Sequence, residues 1–383
     1  MENSIFTIGE ICSRFSSGKN ITSEDIHSEG EYPVYGGNGL RGYTDKCNFD
    51  GECSIIGRQG AYCGNVRYFK GKGYMSDHAV VAVTKPEHNN RYFAYKLGLM
   101  NLGRFSGQAA QPGLSVTKVS KLRVEMPPLP MQRRIASILS AYDNLIENNT
   151  RRIRLLEQMA ENIYKEWFVR FRFPGHENTE YENGLPKGWE LEHIGDVCET
   201  IGGGTPSTSK PEYWGGDIKW VTPTDITSKD SLPLLKIEGR ITSEGLKKSS
   251  AKLLPPYTIL MTSRASIGFF GMAPFEVCTN QGFISIIPHK ENMRMYMLYM
   301  LKSRKEEIVM NANGSTFLEI SKGRFRKMKM LIPDDLILDR YESTVHTIFE
   351  MVMKLEQQSS QLARQRDLLL PRLMSGKLEV KGV

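Results

Sequence analysis

MPPLPMQRRIASILSAYDNLIENN, from Met126 to Asn149, opens with two prolines that end whatever precedes them and then continues at helical spacing. Ile135, Ile138, Tyr142, Leu145, Leu156, Met159 and Ile163 form a seam, which Leu139, Ile146, Ile153 and Trp167 widen into a stripe. Asn149 and Arg152 interrupt it. A stripe of roughly 28 residues makes a rod of roughly 42 Å at about 1.5 Å per residue, longer than a compact domain needs to cover its core. It therefore needs a partner, and one follows much later in the chain: Val345, Ile348, Val352, Leu355, Leu362, Leu369 and Leu373 keep the same step, with Ser359 and Arg366 as polar breaks. The spacing predicts a coiled coil between the two segments, in which polar seam residues cost stability and set register. Residues alone leave open that each is a core helix of its own domain.

The same two regions end two copies of one pattern. IGEIC, Ile8 to Cys12, returns 186 positions later as IGDVC, Ile194 to Cys198. SIIGRQGAYCGN carries Arg58 and ILMTSRASIGFFG carries Arg264, 206 positions apart. GLSVTKVSKLRVEMPP around Ser115 and LEISKGRFRKMKMLIP around Ser321 keep that spacing and set Pro127 against Pro333. The difference between the two offsets predicts a longer loop early in the second copy. In FRFPGHENTEYENGLPKGW, Pro174, Gly175, Gly184 and Pro186 stop the first helix and start a new globular unit. The expected division is residues 1–128, a strand-rich domain; 129–173, a central helix; 174–187, a linker; 188–335, a second domain; and 336–383, a second helix. YPVYGGNG, HAVVAVT, IKWVTPTD and GFISIIP read as strands, NRYFAYKLGLMNL and MRMYMLYMLKSRKEEIV as helices, so each domain is α+β.

A chain of 383 residues, 40% hydrophobic, exceeds one ordinary core, and its net charge of +7 favours a polyanionic partner without proving one. Cys12, Cys47, Cys53, Cys63, Cys198 and Cys278 form no CxxC pair and have no histidine cluster beside them, which reads as reduced cytosolic thiols and no metal site. MENSIFTIGEICSRF has no secretory pattern, and no apolar run approaches the roughly 18 residues of a membrane span. LPPYTIL has Leu254 where an amino-methyltransferase motif needs a polar group, and IGGGTPSTS from Ile201 lacks the Gly-Lys-Ser/Thr ending of a phosphate-binding loop. With no HExxH and no GxSxG, no catalytic residue is assigned.

What remains is a set of loops suited to nucleic acid. YGGNGLRGY places Asn38 and Arg41 beside Gly36, Gly37 and Gly39, on a backbone able to approach a ligand closely or to form a tight hairpin. Arg58 with Gln59, and Thr262 and Ser263 with Arg264, each follow a strand; Asn280 and Gln281 belong to the same set. Arginine bonds a guanine edge through two donors and glutamine an adenine edge, the competing reading for each arginine being a salt bridge inside its own domain. EISKGRFRKMKM sets Lys322, Arg324, Arg326, Lys327 and Lys329 against the single acid Glu319, while the first copy has Lys118, Lys121 and Arg123. Such residues hold phosphates rather than read sequence, and on a strand only alternate ones would face the same ligand.

Nearly the whole chain resembles the specificity subunit of type I restriction-modification enzymes. The resemblance rests on the doubled plan of domain then helix, on YPVYGGNGLRGY, on TSRASIG, and on the junctions LRVEMPPLPMQRRIASILSAYDNLIENNTRRIRLLEQM and ARQRDLLLPRLMSGKLEV; IPDDLILDRYES departs from the family's second helix entry. It implies an α+β fold of two target-recognition domains joined by two long helices that pair as an antiparallel coiled coil, with a pseudo-two-fold internal repeat. It implies a non-catalytic subunit whose domains each read one half of a split site on double-stranded DNA, about one duplex turn apart. The implied partners are two methyltransferase subunits, docked mainly on the long helices and flipping the target adenine, with or without two restriction subunits. S-adenosylmethionine, ATP and Mg2+ would belong to those partners and no cofactor to this chain, which would work in the cytoplasm. The residues by themselves also leave open a coiled-coil scaffold that reads no DNA, and an enzyme such as a nuclease whose nucleophile carries no local signature.

Overall fold

A computed structural model describes residues 3–107, 113–229, 231–314 and 318–380. The chain forms two compact units, one built from residues 1–146 with 361–383 and the other from 147–360. This partition cuts through both long helices, Leu129–Tyr164 and Asp335–Met374, instead of setting them apart as bodies of their own. The reason is packing: each helix places its apolar side chains in the same cores as the sheets. At 36 and 40 residues, both helices outrun the stripe that announces them. Pro130 sits in the first turn of the first helix, where a missing N–H costs little. That helix runs into a single π-type turn, Lys165–Val169.

The first unit holds a six-stranded sheet in the order Cys12–Ser17, Ala79–Thr84, Phe49–Gly57, Val66–Met75, Tyr32–Gly36, Gly39–Thr44. Its neighbours are antiparallel except Tyr32–Gly36 and Val66–Met75, which run parallel. Alternation along the central strands supplies both faces with core. Ile56, Val80 and Ala82 meet Tyr92, Phe93 and Leu97 of helix Asn90–Leu99, together with Ile135, Leu139 and Leu373 of the long helices. Cys53, Ile55 and Val81 point to the other face, against Phe69.

The second unit repeats the plan with shorter strands. Cys198–Gly202, Phe283–Pro288, Ile259–Thr262 and Phe270–Gly271 form one sheet; Arg240–Ile241, Trp214–Val221 and Cys278–Thr279 form another, the last two strands being parallel. Ile259, Met261, Ile284 and Ile286 pack with helix Arg294–Ser303 and with Tyr164, Leu338, Tyr341 and Val345 of the long helices. Phe168 closes this core, its ring 4.5 Å from Tyr296 and 4.9 Å from Tyr341.

The repeat is visible in matching local devices. Ser4–Thr7 pairs with Arg123–Met126 as Glu190–His193 pairs with Lys329–Ile332. The Ser115 and Ser321 hydroxyls accept from the amides of Lys118 and Arg324, capping short helices Val116–Ser120 and Lys322–Lys327. The basic run after Ser321 is therefore helical, and strand begins only at Lys329. The Tyr35 carbonyl accepts from Ser76 N–H as the Val221 carbonyl does from Asn280 N–H, still at the first offset. The extra residues of the second copy thus follow Val221, where helices Pro223–Thr227 and Ser243–Lys247 stand in place of the first unit's hairpin.

Within each unit the long helices lie antiparallel. In the second, Asn149 meets Ser359 whereas Trp167, farther along, meets Tyr341 at 5.7 Å between rings. Asn149 is buried and its amide donates to Gln358 Oε1 (3.0 Å) and Ser359 Oγ (3.2 Å), so two of the polar breaks read from sequence pair with each other. In the first unit, Asp143 accepts from Arg366 (2.7 Å), Arg91 (2.8 Å) and the Tyr95 hydroxyl. Burial alone would push the Asp143 carboxyl up, but the hydrogen bonds from Tyr95, Arg366 and Arg91 outweigh it and hold the group below its ordinary range. Ile135, Val345, Ile348, Val352 and Leu355 are buried; Ile138, Tyr142, Leu156, Ile163, Leu362 and Leu369 are half-buried. Leu145 and Met159 are not in the seam: they are 49% and 52% exposed, because a 3.6-residue helix drifts relative to a strict heptad and carries them outward.

Candidate nucleic-acid interface

In the first unit the hairpin Tyr32–Gly36 and Gly39–Thr44 turns through Gly37 and Asn38, with Gly39 at φ +97, where a side chain would be strained. The glycines also make room. A Cβ on Gly36 would lie 2.6 Å from Cδ of Arg41, whose stem crosses it, and one on Gly39 would lie 2.9 Å from Cζ of Arg67. A Cβ on Gly37 would lie 3.1 Å from the His78 carbonyl and 3.3 Å from that of Gln59. The Arg58 N–H donates to the His78 carbonyl (2.9 Å), and His78 Nδ1 lies 2.9 Å from Gln59 Oε1. Gly37, Asn38, Arg41, Arg58 and Gln59 therefore gather at one end of the sheet, joined by Arg67 and His78. The turn is a tight hairpin, yet Asn38 and Arg41 are exposed on it. Among the described residues, no carboxylate lies within 4.0 Å of Arg41, Arg58 or Arg67, so the expected competing salt bridge is not made there. Lys118 is exposed on its short helix, which follows directly on the Leu114 N–H bond to the Arg58 carbonyl.

The second unit corrects two assignments. Thr262 and Ser263 are buried. The Thr262 hydroxyl donates to the Ser266 carbonyl and accepts from Phe269 N–H (3.0 Å), closing the turn from inside. The Ser263 backbone is bonded to Gly282 and Ile320. Neither side chain can reach a duplex, because the strand end on which they lie is packed on both faces. Asn280 shapes its own turn, accepting from Gly282 N–H at 2.9 Å, and Arg324 is tied to Asn313 Oδ1 at 2.7 Å. Arg264, Gln281 and Lys322 are exposed. Arg264 Nε lies 3.5 Å from Glu319 Oε2, Gln281 accepts from the Thr205 hydroxyl at 2.5 Å, and Lys322 Nζ reaches over Gly202.

Backbone bonds also correct the register between copies. Arg58 N–H donates to His78 and its carbonyl accepts from Leu114; Ser263 N–H donates to Gly282 and its carbonyl accepts from Ile320. Gln59 bridges Gly113 as Arg264 bridges Glu319. The structural counterpart of Arg264 is therefore Gln59, one residue away from the Arg58 that even spacing selects. Sequence reasoning missed Arg67, His78 and Thr205, and read Glu319 only as the single acid beside a basic run. A signal for His78 was present: SDHA and NQGF occupy the same place, just before strands Ala79–Thr84 and Phe283–Pro288.

Burial pushes the thiols of Cys12, Cys53, Cys198 and Cys278 up to about 12, so they are neutral near pH 7. Among the described residues, no group of three His, Cys, Asp or Glu side chains could hold a metal ion. Among them too, no helix is long and apolar enough to cross a membrane.

Two α+β copies, each presenting polar side chains from loops at a sheet end and each packed on its own stretch of the two long helices, make up a duplicated protein. The type I restriction modification DNA specificity domain model matches residues 2–158 and 186–359, and the chain belongs to that family. It is 36% identical over 169 residues to the type I restriction enzyme MjaIX specificity subunit of Methanocaldococcus jannaschii, covering 44% of this chain and 39% of that protein. That match spans about two fifths of the relative's length. With the HindI specificity subunit of Haemophilus influenzae it shares 24% identity over 330 residues, covering 70% of this chain and 71% of that one. The crystal structure of the type I restriction-modification S subunit from M. genitalium has the same fold, with a TM-score of 0.64, 16% identity, and 97% of this chain and 96% of that one covered.

Proposed function

We propose that this chain is the DNA sequence-specificity subunit of a type I restriction-modification complex, each unit reading one half of a bipartite target. The observation that carries the proposal is the equivalence of the two loop ends: one backbone scaffold holds Gln59 in the first unit and Arg264 in the second. Both side chains bear donors suited to base edges, and unlike readers on like scaffolds suit a target with unlike halves. Arg41, Arg67, Lys118 and Lys322, exposed nearby, serve phosphates and supply affinity that weakens with salt. Recognition is this chain's whole task. Two methyltransferase subunits bind S-adenosylmethionine and take the target adenine out of the stack, and restriction subunits, where present, bring ATP and Mg2+. The complex works in the cytoplasm, beside its DNA. Leu155 and Met159, 63% and 52% exposed beside Ile163 and Trp167, give the first long helix an apolar face for such a partner.

The test is co-expression with the cognate methyltransferase subunit and sequencing of the methylated adenines. A split motif is expected; a continuous one overturns the proposal. Exchanging residues 188–333 for another recognition domain is expected to change one half-site and leave the other.

A further inference from the structure

We infer that positions 59 and 264 are the equivalent specificity-determining positions of the two units, and that His78 and Glu319 are positioning residues that decide which atoms of Gln59 and Arg264 face a base. The inference rests on the DNA reading above and goes beyond it by naming the atoms and the base class.

The two readers are held from opposite sides. In the first unit the holder is His78, on the turn that leads into strand Ala79–Thr84; the second unit has Gly282 at that place, by the shared bond from Arg58 or Ser263 N–H. In the second unit the holder is Glu319, across the bridge from Arg264; the first unit has Gly113 there. Each copy thus carries one holder and a glycine where the other copy has its own.

The holders choose the atoms. His78 Nδ1–H donates to Gln59 Oε1 at 2.9 Å, which takes one of that oxygen's two lone pairs and leaves both donors of the amide nitrogen free. Two-point recognition of adenine needs the oxygen and nitrogen turned together to the base, whereas His78 holds the oxygen toward its own ring, so a glutamine held in this way favours the acceptor edge of guanine, O6 and N7. Glu319 draws Arg264 Nε, at 3.5 Å, and leaves the two terminal nitrogens side by side, as a two-point bond to guanine requires. His78, Arg264 and Glu319 are each about half exposed, and main-chain bonds close both loops, so the holders are not needed to keep the fold.

The experiment uses the complex with its methyltransferase subunit on a library of duplexes randomised at each half-site, scored by relative methylation. Arg264→Ala is expected to lose about 10- to 100-fold discrimination for guanine at one base pair of one half-site. Glu319→Ala is expected to relax the same base pair to a smaller degree, and Glu319→Gln, which keeps an acceptor, to restore it. Gln59→Ala and His78→Ala are expected to relax one base pair of the other half-site. His78→Asn, whose side-chain N–H takes the place of Nδ1–H, is expected to restore it. Uniform weakening without a change in preference, or a change at both half-sites from one variant, overturns the inference while the split-site reading stands. A continuous motif from the unaltered complex overturns that reading instead.

Discussion

The two halves of the long-helix pair are closed by different chemistry. In the first unit a carboxylate, Asp143, gathers two guanidinium groups and a phenol; in the second, Asn149 meets a glutamine and a serine, all neutral. The sheet ends differ in the same spirit, with a neutral glutamine held by a histidine in one unit and an arginine held by a glutamate in the other. The backbone repeat is kept while the polar groups that lock it are free to vary, because main-chain hydrogen bonds carry the scaffold and side chains carry the differences.

The charged closure offers the largest effect. Asp143→Ala leaves Arg91, whose side chain is only 21% exposed, without its counter-charge, and leaves Arg366, 28% exposed, with Asp367 alone. A local loss of about 3 kcal/mol is expected. Hydrogen exchange should speed up in residues 129–143 and 366–374 and stay nearly unchanged in 149–164; equal loss in both halves would break the contrast. The same group sets a pH dependence. Because Asp143 titrates below the ordinary carboxylate range, its contribution is full above that range and disappears as pH falls through the lowered value. As pH falls below the ordinary carboxylate range the first unit's half should loosen, and Asp143→Asn should flatten that response.

The neutral closure should cost less. Asn149→Ala removes the donor to Gln358 and Ser359, with an expected loss of about 1–2 kcal/mol confined to the second unit and no change across the same acid window. A loss that grows with acid would couple Asn149 to the carboxyls of Glu157 and Glu342, which burial raises above the ordinary range in this half. The smallest effect concerns phosphates. Arg67→Ala should reduce the slope of log affinity against log salt by about 1 with base preference unchanged, whereas Arg324→Ala, already spent on Asn313, should leave the slope alone.

Much of the fold is legible in the residues, and for one reason: it is built from periodicities. The stripe from Ile135 onward, the return of IGEIC as IGDVC, and the paired serine caps at Ser115 and Ser321 are local patterns that any later packing has to respect. The interface was legible only as a neighbourhood. Arg41, Arg58, Gln59 and Arg264 lie where loops meet, but Thr262 and Ser263 turn inward, and His78 and Glu319 reach their readers across long separations in sequence.

Sequence by itself determined that the chain is doubled, that its long helices seek each other, and that its polar loops follow strands, since these depend on spacing along the chain. Tertiary structure alone decided that Gln59 rather than Arg58 matches Arg264, that Leu145 and Met159 face outward, and which atoms of each reader stay free. Such outcomes depend on the register of strands and the accumulated twist of helices, and a shift of one residue in either moves a side chain to another face without leaving any trace in composition.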